Sequence, residues 1–255
     1  MKNGEVKYHL GFGAEHGAKY VILPGDPARV EKIAKQLDSA EFFHQNREYT
    51  AWLGFLEGEK VLVMSTGMGG PSTAIAVEEL IQTGVTHFLR VGTCGGMQQH
   101  VLPGDLVIAQ SAIRQEGTSR EYMPIEVPAA ADFEMTLALR EAAKRLGMRA
   151  HVGTVQCKDS FYGQHSPESM PIHAELLARW EAYIQSGCLA SEMESAALYA
   201  VCSCRKVKAA CVLHVIWNQE RAKAGQQDQE NHETNQAIRC GIEAIRQMIL
   251  DEKHQ

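Results

Sequence analysis

The chain has 255 residues, of which 45% are apolar, and a formal net charge of −6. This length allows one large α/β domain or two small ones, and the composition excludes a mainly disordered chain. The acidic balance argues against sequence-independent binding of nucleic acid. The seven cysteines are spaced like neither a disulfide framework nor a zinc site. Because we find no signal-peptide core and no membrane-length apolar run, we expect a cytoplasmic protein with no membrane partner.

Strand-like and helical segments alternate from one end of the chain to the other. The predicted strands cover residues 19–23, two segments within 49–65 joined at 57–59, 86–91, 106–113, 150–157 and 207–217. Helices are predicted from 27 and from 71 onward, and over 133–146, 171–185, 191–201 and 234–251. This order predicts a single domain spanning residues 1–255: an α/β fold whose central sheet is mixed, largely parallel and flanked by helices.

Two glycine-rich segments, MSTGMGG (64–70) and RVGTCGG (90–96), each follow an apolar run. We interpret both as loops where a ligand approaches the backbone. A dinucleotide fingerprint is excluded because Ser72 occupies the last glycine position and the next strand ends near Arg90 rather than at an acidic residue. A P-loop is excluded as well, since no Gly-Lys-Ser/Thr follows.

Arg29 and Arg90 lie at the carboxyl ends of predicted strands, where open α/β sheets place their ligands. Together with the Thr93 hydroxyl and backbone amides, they suit a phosphate dianion. The alternative interpretation is that both arginines are ordinary surface charges at strand ends. A second polar group begins at Asn218, at the end of the last strand, and fits either a pocket or a simple loop.

The stretch Ser191-Glu192-Met193-Glu194-Ser195 places two carboxylates between apolar neighbours. Carboxylates in such surroundings need partners, and a ribose diol is one kind of partner. The alternative is an acidic helix start, which complements the helix dipole.

Five segments, VILPGDPARV, STGMGGPSTAIAVEEL, RVGTCGG, DSFYGQ and SEMESAAL, occur in the order seen in bacterial nucleoside phosphorylases of the trimeric and hexameric type. The chain resembles that family from about His9 to the last helix. The resemblance implies a pentosyltransferase that splits a nucleoside with inorganic phosphate into a free base and ribose 1-phosphate. It implies a pyrimidine substrate, with uridine first, and therefore a role in pyrimidine salvage.

The resemblance also assigns residues to the sugar and the phosphate. Phosphate binding falls to Gly25, Arg29, Arg47, Arg90 and Thr93, and ribose binding to His9, Met193, Glu194 and Thr93. His9 and Arg47 match residues that reach in from a neighbouring subunit, so the resemblance implies shared active sites in a hexamer built from homodimers. The sequence leaves open a dimer or a hexamer.

For the base, the resemblance assigns Phe161, Gln164, His165 and Arg221, and the expected catalytic set is Arg90, Glu194, Gln164 and Arg221. The chain departs from the well-known pattern at Ser166 and Gln219, which stand where arginines occur. Either Arg221 or His165 therefore remains as the donor to the uracil O4 atom. Purine-specific relatives carry an aspartate near position 218, where this chain has Asn218.

We expect no cofactor, with phosphate as co-substrate. Glu48 and Ser72 match positions that hold potassium between subunits in some family members. The competing functions are a purine nucleoside phosphorylase, a hydrolytic nucleosidase and a protein that binds nucleosides without turnover. The preference among uridine, deoxyuridine and thymidine stays open.

Overall fold

The computed structural model describes residues 5–226 and 228–254. These residues form strands β1 Tyr20–Leu23, β2 Asp38–Asn46, β3 Tyr49–Leu56, β4 Glu59–Met64, β5 His87–Gly96, β6 Leu106–Gln115, β7 Ala129–Ala130, β8 Ala150–Lys158, β9 Ala190–Glu192 and β10 Lys208–Asn218. They also form helices α1 Ala28–Ala34, α2 Gly70–Gln82, α3 Thr118–Tyr122, α4 Phe133–Arg145, α5 Phe161–His165, α6 His173–Gln185, α7 Ser195–Arg205, α8 Gln219–Lys223 and α9 Asn235–Lys253. Short 3₁₀ turns lie at Ala14–His16 and Pro167–Ser169.

The strands belong to one mixed sheet. β1 is parallel to both β4 and β5, and the antiparallel strands β3 and β2 extend this side to an edge. On the other side, β5 pairs with β10, β10 with β6, β6 with β8, β8 with β9, and β9 returns to β5. These five strands therefore close into a ring beside the open part of the sheet. The predicted α/β class and mixed sheet are confirmed.

Two apolar clusters cover opposite faces of the sheet, as the near-continuous apolar strands require. One contains residues of α2 and α7, such as Leu80 and Leu198. The other contains residues of α1, α4 and α9, such as Ile33, Leu139 and Ile245. In the described residues, no helix combines the length and the apolarity that crossing a bilayer requires.

The two glycine-rich segments differ in the structure. The first is a loop between β4 and α2, with Gly67 and Gly69 at positive φ values of 71° and 88°. The second was wrongly interpreted as a loop, because β5 continues through it and pairs with β10 as far as Gly96. A Cβ on Gly92 would lie 2.9 Å from the Leu213 side chain and 3.2 Å from Arg90 Nε. These glycines therefore permit close side-chain packing within a strand.

Two further differences concern element boundaries. The predicted helix over 191–201 is wrong at its start, since Ala190–Glu192 pair as β9 and α7 begins at Ser195. β2 was not predicted, because this edge strand is mostly exposed and polar, and its adjacent Phe42 and Phe43 do not alternate as the apolar residues of a half-buried strand do.

Candidate active site

The segments that follow β1 and β4 are hydrogen-bonded to each other, and the end of β1 lies beside Arg90 of β5. The Thr66 amide donates to the Pro24 carbonyl at 2.9 Å, and the Gly67 amide donates to the Gly25 carbonyl at 2.9 Å. A Cβ on Gly25 would lie 3.1 Å from the Gly67 carbonyl oxygen and 3.7 Å from Arg90 Nη2. Gly25 therefore brings two backbone segments and one guanidinium together.

Arg90 is buried and forms an ion pair with Glu194. Its Nη2 donates to Glu194 Oε2, and Glu194 Oε1 accepts from the Gly69 amide at 2.7 Å. Burial alone would lower the pKa of Arg90, but the neighbouring negative charges, Glu194 first among them, together outweigh burial and raise the pKa. Among the described residues, Nε and Nη1 of Arg90 have no hydrogen-bond partner. Nε lies 3.9 Å from Glu192 Oε2, so two carboxylates hold the guanidinium and Nη1 is left as a donor without a partner among the described residues.

Arg29 lies beside this pair, in the first turn of α1. Burial, followed by repulsion from Arg90, lowers the pKa of Arg29. Its Nη1 has no hydrogen-bond partner among the described residues, and its Nε is 3.9 Å from Asp26 Oδ2. Two neighbouring cations with unsatisfied donors are costly to bury, and a dianion between them would satisfy both.

The acidic stretch before α7 is built as a cap. Glu192 Oε2 accepts from the amides of Glu194 and Ser195, at 2.8 and 2.9 Å. Burial and the nearby Glu194 raise the pKa of Glu192. Glu192 therefore fixes the backbone of the turn and directs Glu194 toward Arg90. Met193 between them is half-buried.

Four side chains connect β8, β9, α5 and α8. Lys158 Nζ lies 2.6 Å from Ser191 Oγ, Ser191 Oγ lies 2.7 Å from Gln164 Oε1, and Gln164 Nε2 lies 3.0 Å from Gln219 Oε1. A cavity of about 250 Å³ adjoins them. Its lining combines these amides and the lysine with apolar side chains of α6, including Trp180. Such a mixture of an apolar wall and a few convergent polar groups is typical of a small-ligand site.

Aromatic rings lie next to this chain of hydrogen bonds. Phe161 is 51% exposed and its ring centre lies 4.2 Å from that of His165, which in turn lies 6.1 Å from Trp217. Burial, followed by the charge of Lys158, lowers the pKa of His165. His165 is therefore a neutral imidazole at pH 7 with an exposed aromatic face beside it.

The strand end at Asn218 has a structural task. Asn218 is buried, donates to the carbonyls of Gln98 and Val101, and accepts from the amides of Glu220 and Arg221. Arg221 is held by Asp228 and by the Gln99 carbonyl. The structure therefore does not bring Arg221 together with Gln164, and the Asn218 amide is fully engaged with backbone groups.

His9 and Arg47 lie together on another surface. Asn46 Nδ2 donates to the His9 carbonyl at 2.8 Å, and Arg47 follows it in the exposed β2–β3 turn with a φ of 52°. His9 Nδ1 lies 2.6 Å from Glu79 Oε1, in the second half of α2. Among the described residues, neither side chain forms a hydrogen bond or an ion pair with Arg29, Arg90 or Glu194 of its own chain.

Glu48 and Ser72 are in direct contact beside the first glycine loop. Ser72 Oγ lies 2.7 Å from Glu48 Oε1, 3.3 Å from Tyr49 Oη, and within hydrogen-bond distance of the Thr66 carbonyl. In the part of the chain that the structure describes, no three His, Cys, Asp or Glu side chains form a metal cluster. An oxygen-rich site at Ser72 would suit a hard cation instead.

Sequence reasoning missed Lys158 and Ser191 as parts of the site, and it considered Glu192 as a partner of a ribose diol rather than as the cap that it forms. Lys158 ends an apolar strand, which is the same signal that identified Arg90. The helix prediction over 191–201 hid Ser191, which pairs in β9. Thr93 lies half-buried on β5 in register with His214, three residues beyond Arg90.

Comparison with known proteins agrees with this geometry. Residues 19–247 match the family described as the Phosphorylase superfamily. The chain is 52% identical over 248 residues to a uridine phosphorylase of Treponema pallidum, covering 97% of this chain and 96% of that protein. It is 39% identical over 254 residues to the uridine phosphorylase of Escherichia coli K12, covering 98% and 100%, and 36% identical over 231 residues to a guanosine phosphorylase of Halorubrum lacusprofundi, covering 88% and 91%. The chain therefore belongs to the phosphorylase superfamily.

Proposed function

We propose that the protein catalyses the reversible phosphorolysis of uridine to uracil and ribose 1-phosphate, as a pentosyltransferase of pyrimidine salvage. The observation that carries this proposal is the neighbouring pair of Arg29, which is partly buried, and Arg90, which is fully buried, next to Glu194; each guanidinium has a donor without a hydrogen-bond partner among the described residues. The two relatives named as uridine phosphorylases, which match nearly the whole chain, support uridine as the nucleoside.

Phosphate would be bound by Gly25, Arg29, Arg90 and Thr93, and the ribose diol by Glu194. A phosphate oxygen then attacks C1′ as the C1′–N1 bond breaks, and the electron pair of that bond leaves with the base. No enzyme nucleophile is needed, because positioning and charge stabilisation supply the catalysis. The remaining lone pairs of Glu194 suit sugar hydroxyls, since its Arg90 and Gly69 contacts hold the carboxylate still.

The base would pack on Phe161, with Met193 near the sugar and Gln164 at the imide edge. A primary amide carries the donor and the acceptor that an imide edge needs. The buried charge of Lys158, one serine away from Gln164, favours the negative charge that develops on the departing base.

Two residues compete for uracil O4. His165 stacks on Phe161 and is the better placed, whereas Arg221 is held by Asp228. We expect Arg221→Ala to keep uridine turnover within a few-fold and His165→Ala to lower it. The opposite ranking would assign O4 to Arg221.

We further propose that the active site is completed by a second copy of the chain. His9 and Arg47 are linked through Asn46, and neither side chain bonds to its own Arg90 among the described residues, so both are available to a neighbour's sugar and phosphate. Mixing inactive Arg47→Ala and inactive Arg90→Ala chains should restore part of the activity, because some sites then contain neither change. A hexamer built from such dimers is part of this proposal.

A potassium ion beside Ser72 is part of the same proposal. The Ser72 hydroxyl has one proton, yet it lies near the Thr66 carbonyl and the Glu48 carboxylate, so one acceptor is left without a donor. A monovalent cation would satisfy these oxygens. A rise in melting temperature with potassium but not with tetramethylammonium chloride, abolished by Ser72→Ala, would support it.

One assay tests the function: release of base from uridine, thymidine and inosine, each with and without phosphate. We expect phosphate-dependent release that is fastest with uridine. Faster cleavage of inosine would indicate a purine enzyme, phosphate-independent release a nucleosidase, and binding without release a nucleoside-binding protein. The contacts of Asn218 disfavour the purine alternative, because both hydrogens of its side-chain amide already bond to the Gln98 and Val101 carbonyls and none is left for a purine base.

A further inference from the structure

The hydrogen-bonded chain from Lys158 to Gln219 has a defined direction. An ammonium group has donors and no acceptor, so Ser191 Oγ must accept from Lys158. Ser191 Oγ has no hydrogen-bond partner among the described residues besides Lys158 and Gln164, so Gln164 is the one acceptor in reach of its proton and presents its oxygen on that side. Its amide nitrogen consequently faces Gln219 Oε1.

The direction matters because the two ends of a primary amide have nearly the same shape. Packing alone would leave both orientations of Gln164 available at this site. Lys158, Ser191 and Gln164 are 6%, 4% and 9% exposed, so water competes little for their hydrogen bonds. The buried cation thus determines which end of the amide points which way.

The surroundings of Lys158 support a role other than ion pairing. Among the described residues, no carboxylate lies within 4.0 Å of its ammonium group. Burial lowers its pKa, while the charge of the more distant Glu192 opposes this effect. Burying an ammonium group without a carboxylate partner costs free energy, and the hydrogen bond to Ser191 offsets part of that cost.

We propose that Lys158 and Ser191 are positioning residues that lock the Gln164 amide in one orientation, and that this lock makes the site select uracil over cytosine. The proposal rests on the proposed function. In the locked state, the second lone pair of Gln164 Oε1 accepts from the N3–H of uracil, and the second Nε2 hydrogen donates to the uracil O4 atom, whose other lone pair is left for His165. Cytosine presents an acceptor at N3, which would face the amide oxygen without a proton between them.

A free amide would remove this penalty. After a flip, Nε2 would donate to cytosine N3, and the oxygen would accept from the exocyclic amino group. Because the lock forbids the flip, cytosine leaves two acceptors in contact, and a site with unpaired buried groups rejects such analogues strongly.

The test compares kcat/KM for uridine and cytidine, with phosphate, in Lys158→Met, Ser191→Ala and Ser191→Thr. We expect the first two variants to lower the uridine-to-cytidine ratio at least tenfold, and Ser191→Thr, which keeps the hydroxyl, to retain the ratio within about twofold. Ser186→Ala, which removes an exposed serine hydroxyl at the end of α6, is the matched control and should leave the ratio unchanged.

An unchanged ratio, with kcat reduced equally for both nucleosides, would overturn the lock, because a purely structural or charge effect acts on both substrates alike. Retention of the thermal shift caused by phosphate shows that a variant is folded. Calorimetric binding of free uracil and cytosine separates this proposal from the proposed function. Preference for uracil that is lost in Lys158→Met supports the lock even without turnover, and equal binding of both bases by the unmodified protein overturns it.

Discussion

Substituting Arg29 by methionine separates anion binding from stability. Arg29 and Arg90 repel each other, and Arg29 Nη1 has no partner among the described residues. Without phosphate, Arg29→Met relieves this repulsion and fills similar space with an apolar side chain, so the melting temperature should stay level or rise. With phosphate, the variant loses at least one charge-assisted hydrogen bond.

The size of the phosphate effect follows from that bond. One hydrogen bond to a charged group contributes about 1.5–3 kcal/mol, which corresponds to a roughly 10- to 150-fold weaker dissociation constant. At a phosphate concentration 100 times the dissociation constant, binding stabilises the unmodified protein by about 2.7 kcal/mol. A 30-fold weaker constant would leave about 0.9 kcal/mol at the same concentration.

The assay is thermal unfolding with and without phosphate, together with KM for phosphate in uridine cleavage. Lys32→Met is the matched control, because Lys32 is on the same helix but pairs with Glu233 at the surface. An unchanged phosphate-induced stabilisation in Arg29→Met would refute the assignment. A phosphate-free protein destabilised by several kcal/mol would refute the argument from repulsion.

Two further predictions concern stability. Burial, followed by the charge of Lys19, lowers the pKa of His87 to about 4. Between pH 6.5 and 4 this histidine is therefore protonated in the unfolded chain but mostly neutral in the folded chain. The free energy of unfolding should therefore fall from pH 6.5 to 4, and urea titrations should show a shallower fall in His87→Gln; parallel curves would contradict this. A Cβ on Gly96 would lie 2.7 Å from Asn218 Nδ2, whereas on Gly95 its nearest neighbour would be 3.8 Å away. Gly96→Ala should lower stability by about 1–3 kcal/mol and reduce turnover, with Gly95→Ala as the mild control in a thermal melt; equal effects would contradict the packing argument.

The sequence predicted the layered α/β fold because the buried strands are apolar and bounded by turn residues. It also singled out Arg29 and Arg90, since ligands in such sheets gather at the carboxyl ends of strands, although Arg90 lies inside β5, which continues to Gly96. The glycine-rich segments predicted loops less reliably than the apolar runs predicted strands. The first glycine-rich segment is a loop with positive φ angles, but the second is a strand in which Gly92 and Gly96 make room for neighbouring side chains. Sequence alone does not distinguish a glycine required by φ from one required by space.

The residues that sequence reasoning missed depend on contacts between distant segments. Lys158 and Ser191 are 33 positions apart, and each is unremarkable alone. Their meaning depends on the parallel pairing of β8 with β9, which aligns the ends of two strands. Ser191 was assigned to a helix, where its side chain would have pointed elsewhere. Pairing of this kind is set by tertiary packing, which local pattern does not record.

The short segment from Ser191 to Glu194 connects the two halves of the site. Ser191 holds Lys158 and Gln164 on the base side, and Glu194 holds Arg90 on the phosphate side. Between them, the Glu192 carboxylate accepts from two backbone amides and keeps the turn rigid. A change at Glu192 should therefore disturb base selectivity and phosphate affinity together, although Glu192 is assigned to neither ligand. The sheet brings the strand ends into one region. This turn then sets the distance between Gln164, which is proposed to bind the base, and Arg90, which is proposed to bind the phosphate.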